Sequence, residues 1–380
     1  MRWDAQRLDL EDPATLPGMP SIRGLLRTVQ VPEFPGLTFH EVRSKSALNH
    51  VPGESAMPFP WTINPYRGCS HSCVYCFARR THEWLELDSG HDFDSQIVVK
   101  TNLVDVLCKE LHRPSWQREH VALGTNTDPY QRAEGRYRLM PGVIRALTES
   151  GTPFSILTKG TLLRRDIPLL AEAARSISVG LGVSMAIWDD ELHAALEPGV
   201  PTPRARLDLV RAITEAGLPC GVFMAPVLPG LTDGTAELDA ALGAIAAAGA
   251  TGVTVIPLHL RPGARGWFMA WLARAHPEFV PRYEQLYSRR AYVPAEYRTW
   301  LSRRVAPLLA KHGLDRRPGG TARGAGDRIA AGVPGDEEVG FPAGSLPTHG
   351  LPGVRPAARR APAPAPGAAR ATGQLSLLPP

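Results

Sequence analysis

"NPYRGCSHSCVYCFARR", residues 64–80, carries three of the chain's five cysteines within eight positions. A disulfide takes two thiols and a closed structural zinc site takes four ligands, so three thiols point to a centre with one position left open. Cys69, Cys73 and Cys76 follow C-x3-C-x2-C, a spacing short enough to put their sulfurs on one loop. Two centres meet the requirement. One is a zinc ion with His71 or His82 as fourth ligand. The other is a four-iron cube, in which three thiolates hold three irons and the fourth iron is free for substrate or cofactor. Spacing alone does not separate them.

Around this loop, residues 57 to 313 alternate strand-like and helical runs. "HVALGT" precedes "PGVIRALTESG", "PFSILTKG" precedes "RRDIPLLAEAARS", and "ISVGLGVSM" precedes "PRARLDLVRAITEAG". "PCGVFMAPVLPG", "TAELDAALGAIAAAGA" and "GVTVIPLHL" complete the series. Apolar strands followed by helices that stop at Gly or before Pro predict α/β architecture with a parallel sheet. A partial or complete (β/α) barrel is the first expectation and a doubly wound open sheet the second; both put ligand chemistry at the C-terminal strand ends. Residues 1–56 read as an N-terminal extension and 57–313 as the barrel with closing helices. Residues 314–380 read as a disordered tail, because Pro, Ala, Arg and Gly without a period cannot bury a face.

Composition sets wider bounds. No apolar run is long enough to span a membrane, and the acidic start "MRWDAQRLDLEDP" does not read as an export signal. Few, clustered cysteines fit a reducing cytoplasm rather than a disulfide framework. A net charge of +5 permits a nucleic-acid partner without requiring one. Cys108, in helical "LVDVLCKEL", and Cys220, opening an apolar strand, read as packing residues.

The polar strand ends are candidate ligand contacts. "LGTNTDPYQ" ends a buried strand in Thr127 and Asp128, which either face a ligand or simply turn the chain. "ILTKG" ends in Lys159, a cation that is costly at the inner end of an apolar strand unless it meets an anion or snorkels to the rim. Ser184, after "VGLGV", reads as a ligand contact or as a hydroxyl bonded to backbone.

With Tyr75 before the last cysteine, the loop resembles the signature of the radical S-adenosylmethionine superfamily. "NPYRGCSHSCVYCFAR", "GTNTDPYQRAEGRYRL", "SILTKG" and "APVLPGLTD", in that order, resemble the branch related to spore photoproduct lyase. The resemblance covers about residues 64–311. It implies a [4Fe-4S] cluster on Cys69, Cys73 and Cys76, with S-adenosyl-L-methionine chelating the fourth iron. In that family an electron supplied by a reducing donor splits the sulfonium, and the 5′-deoxyadenosyl radical takes hydrogen from substrate. The resemblance further implies Thr127 and Asp128 near the methionine amino group, Lys159 on the carboxylate, Ser184 near the cofactor, and Tyr75 against the adenine or shielding the cluster. One departure stands out. Where spore photoproduct lyase carries a hydrogen-returning cysteine, this chain reads Leu123-Gly124-Thr125-Asn126.

Two further stretches suggest partners. "QLSLL", with Gln374, Leu375, Leu377 and Leu378, resembles the peptide that bacterial proteins insert into the DNA sliding clamp. From Arg282 to Arg304, arginines alternate with Tyr283, Tyr287, Tyr292, Tyr297 and Trp300, a pattern that suits either nucleic-acid stacking or helix packing. Three functions follow: a radical enzyme on nucleic acid, the same chemistry on a peptide or small molecule, or a zinc-stabilised clamp-binding adaptor.

Overall fold

The computed structural model describes residues 24–52, 57, 59–288 and 290–315. The stretch read as disordered lies outside the described residues from position 316 on, and so does the QLSLL peptide. The strands are β1 (Leu25–Gln30), β2 (Thr38–Val42), β3 (Leu48–His50), β4 (Trp61–Ile63), β5 (Tyr66–Arg67) and β6 (Gln96–Lys100). They continue as β7 (Val121–Leu123), β8 (Phe154–Thr158), β9 (Val179–Ser184), β10 (Cys220–Val227) and β11 (Gly252–Pro257). Helices α1 (His91–Ser95), α2 (Leu103–Leu111), α3 (Arg132–Tyr137), α4 (Leu139–Glu149) and α5 (Ile167–Ala173) lie between strands. So do α6 (Asp190–Leu196), α7 (Pro203–Glu215) and α8 (Thr235–Ala247). α9 (Ala264–Ala275), α10 (Val280–Leu286) and α11 (Ala295–Lys311) close the described chain.

The larger sheet runs β11-β10-β9-β8-β7-β4-β3. Its strands from β4 to β11 are parallel, and β3 caps one edge antiparallel to β4. The order never reverses, whereas a doubly wound sheet must reverse at its switch point. It also has two ends. The architecture is therefore the partial (β/α) barrel, with six parallel strands. Among the described residues no helix is long and apolar enough to cross a membrane.

Strand alternation sorts the side chains of this sheet. Val121, Leu123, Phe154, Ile156, Val179, Leu181 and Val222 are fully buried in one core with α2, α4, α7 and α8. Burying each such side chain contributes roughly 1.5–3 kcal/mol before chain entropy is counted. The opposite face is different. Thr62, Ala122, Ser155 and Gly180 lie in register across β4, β7, β8 and β9, and Gly182 pairs Gly221 one step nearer the C-terminal ends. Small residues line the N-terminal part of that inner face, while Leu157 and Phe223 pack over Gly182 toward its C-terminal end.

A second sheet, β1-β2-β6-β5, uses the chain before residue 56 together with β5 and β6. It delivers β5 directly into Gly68 and Cys69. Here the glycine is required: φ is +76°, and a Cβ would lie 2.9 Å from the Gln96 carbonyl oxygen.

Candidate active site

The cysteine loop is pinned from several directions. The Cys69 N–H donates to Phe93 O at 2.9 Å, the Val74 N–H to Leu196 O at 2.9 Å, and the Cys76 N–H to Cys73 O at 3.2 Å. Gln131, fully buried, accepts from the Ser70 N–H and donates to Gly68 O, both at 3.0 Å. Arg79, also fully buried, donates to Cys73 O at 2.9 Å, to Gly90 O at 2.8 Å and to Asp94 at 2.9 Å. Its guanidinium lies over Phe93 and Trp267, at 5.3 and 5.0 Å from the ring centres. A planar five-donor cation can make all these contacts at once; an ammonium cannot.

Cys69, Cys73 and Cys76 are free thiols. Burial pushes Cys73 well up and Cys76 to about 11, with nearby Glu197 adding to the first and Cys69 to the second. Cys73 and Cys76, whose ionisation burial opposes, fit with adjacent Cys69 a cationic metal centre, which stabilises thiolate. Of the two histidines proposed for zinc, His82 is turned away from the thiols, whereas His71 lies between Asp128 and Cys69 and bonds both. His82 bonds Gln96 O at 2.9 Å and packs edge-on against Phe93. His71 lies 3.4 Å from Asp128, and although burial opposes its charge, Asp128 and Cys69 raise it to about 10. Among the described residues no three His, Cys, Asp or Glu side chains converge on a single ion. A cube binds each thiolate to a different iron, so its ligands need not converge.

Beside the loop, the C-terminal strand ends assemble a buried polar network. Lys159, directly after β8, donates to the Ser184 hydroxyl at the end of β9, at 2.7 Å. Its ammonium lies 3.3 Å from Glu197 and 5.6 Å from the centre of the Tyr75 ring. The Tyr75 hydroxyl donates to the same carboxylate oxygen that Lys159 faces, Glu197 Oε1. Arg206 donates to Glu197 Oε2 at 2.8 Å and to Ser184 O at 2.7 Å, and both residues are fully buried. Burial alone would raise the Glu197 carboxyl, but Arg206 and Lys159 outweigh it and hold it at about 2.

Tyr75, Lys159 and Ser184 are thus brought together. Asp128 sits next to them in a different role: it accepts from the Thr158 hydroxyl at 2.5 Å and from the Lys159 and Tyr130 N–H groups at 2.6 and 2.8 Å. Burial would raise its carboxyl, yet His71 and these donors keep it low. Thr127 turns its hydroxyl to Tyr66 O at 3.0 Å. Glu197 and Arg206 carry no motif in the sequence, and Arg79 and Gln131, although inside quoted motifs, are not singled out there. Arg206 does leave one trace, because it shares the buried stripe of α7 with Leu209, Val210 and Ile213, where an apolar residue is the norm.

The remaining cysteines lie away from the strand ends that hold the network. Cys220 starts β10, at its opposite end, where burial pushes the thiol to about 12. Cys108 packs from α2 against the core. In the arginine–aromatic stretch, Tyr283, Tyr287 and Tyr297 are buried, Tyr292 packs on His259, and Trp300 alone of the five is exposed, as the helix-packing alternative has it.

Residues 63–242 match the model of the radical SAM superfamily. An uncharacterized protein of Mycobacterium tuberculosis (strain H37Rv) is 62% identical over 324 residues, covering 84% of this chain and 95% of that protein. The chain belongs to the radical SAM superfamily. Its cofactors are accordingly a [4Fe-4S] cluster and S-adenosyl-L-methionine. An uncharacterized protein of Methanocaldococcus jannaschii is 28% identical over 195 residues, 51% of this chain and 69% of that protein. A structure of spore photoproduct lyase with bound AdoMet and dinucleoside spore photoproduct matches at TM-score 0.53. It is 14% identical and covers 72% of this chain and 78% of that one, a likeness of fold.

Proposed function

We propose that this chain is a radical S-adenosylmethionine enzyme that abstracts hydrogen from a nucleic-acid substrate, in a repair-like or modification reaction. The observation that carries the reading is the placing of a pinned three-thiol loop beside Lys159, Ser184 and Tyr75. When bound, the cluster and S-adenosylmethionine supply a 5′-deoxyadenosyl radical once an external one-electron donor has reduced the centre.

The protein's part is binding, orientation and exclusion of water. Lys159 would take the methionine carboxylate in exchange for its longer contact with Glu197, and Ser184 would orient it. Tyr75 would cover the adenine or the cluster. Asp128 fixes where Lys159 leaves its strand, by accepting the Lys159 N–H.

The nucleic-acid choice is supported by the fold shared with spore photoproduct lyase. Reversal of the spore photoproduct itself is not proposed, because no cysteine occupies residues 123–126 and Cys108 and Cys220 lie elsewhere. The test is anaerobic reduction of the reconstituted protein with S-adenosylmethionine, with and without ultraviolet-damaged DNA. The expected product is 5′-deoxyadenosine, in greater yield with the damaged DNA. An iron-replete protein that releases none would end the enzyme reading, and release unaffected by any nucleic acid would move the substrate to a peptide or small molecule.

A further inference from the structure

We propose that Arg132, Arg136, Arg138 and Arg164 form a phosphate-docking surface for a nucleic-acid strand at the exits of β7 and β8. The inference rests on the nucleic-acid reading above and names the surface that would serve it. All four side chains are exposed, and among the described residues none is in an ion pair. The two segments that carry them are not free of acids, but their acids are turned inward. Glu134 is fully buried and accepts from the Tyr66 hydroxyl, from the N–H groups of Leu139 and Met140, and from Arg165 at 2.6 Å. Asp166 is buried and bonds Tyr130 and the same Arg165. Arg165 faces both interior carboxylates, so neither reaches the four exposed arginines; Glu41 of β2 is near enough to Arg136 to be stabilised by it, without forming an ion pair. Every exposed charge in residues 126–148 and 158–170 is an arginine.

The patch is continuous and close to the cysteine loop. The Arg165–Glu134 contact clamps the 3-10 turn of residues 161–166 against α3, and exposed Leu162 reaches within 3.9 Å of where a Gly135 side chain would begin. At its other end the Arg132 N–H donates to the Ser70 hydroxyl at 3.2 Å, next to Cys69. Guanidinium groups grip phosphate through paired N–H donors, and several on one surface match the regular charges of a nucleic-acid backbone. Docking there would lay a strand across the strand exits beside the loop.

The experiment is fluorescence anisotropy of a labelled single-stranded DNA oligonucleotide with the anaerobically reconstituted full chain, over a range of salt. Affinity should fall with salt, and replacing all four arginines by glutamine should reduce the log–log slope by about 3, at roughly 0.7 per phosphate contact. Arg145→Gln, an exposed arginine on the outer helix α4, should leave the slope unchanged. An unchanged slope in the fourfold variant, with an unchanged circular dichroism melt, would overturn the proposal. So would competition by polyglutamate as strong as by unlabelled DNA. Release of 5′-deoxyadenosine by the wild-type protein without DNA is measured alongside. Absence of release both there and with ultraviolet-damaged DNA counts against the enzyme reading whatever the binding result.

Discussion

Tyr75 and Glu197, which are 122 residues apart, share a hydrogen bond at the centre of a largely buried polar network. One comes from the cysteine loop and the other from the end of α6, so the contact ties the metal-binding segment to the strand exits. Glu197 tolerates burial because Arg206 and Lys159 face it. Its stability contribution is conditional on them.

Arg206→Met should therefore leave a buried carboxylate short of its main partner and cost about 3–5 kcal/mol. Chemical denaturation of the purified protein would measure this. A loss below about 1 kcal/mol would mean that the pair does not hold the site together.

Substitution of any one of Cys69, Cys73 or Cys76 by alanine should abolish iron and sulfide binding and the colour of the anaerobically prepared protein. Cys108→Ala and Cys220→Ala should keep both, because neither thiol lies on the loop. Iron and sulfide analysis decides the matter, and stoichiometric zinc without sulfide would revive the adaptor.

His259 gives the fold an acid-side weakness. Burial, with Arg261 and Arg298 nearby, lowers its pKa to about 3. Between about 3 and the ordinary value near 6.5 the unfolded chain binds a proton that the folded chain refuses, so stability falls as pH drops through that window. His259→Gln should shrink the difference in melting temperature between pH 7 and pH 5. An unchanged difference would place the acid sensitivity elsewhere.

The tail makes a separate prediction. A synthetic peptide of residues 369–380 should bind the bacterial sliding clamp, and the same peptide with Gln374→Ala and Leu377→Ala should not. Equal binding by the two, measured by calorimetry, would remove the clamp from the list of partners.

What the sequence determined by itself was local. The three cysteines lie within eight positions, and a loop that short brings its thiols together whatever the rest of the chain does. The alternation of apolar strands with capped helices likewise declared a parallel sheet, since each run is set by its own periodicity. Tertiary structure decided what those rules cannot reach. It chose an open six-stranded partial barrel, turned Tyr283, Tyr287 and Tyr297 inward, and gave Asp128 to the backbone of Lys159. It also recruited Glu197 and Arg206, which no motif marks, because a buried charge is placed by partners distant in the chain and leaves almost no pattern along it.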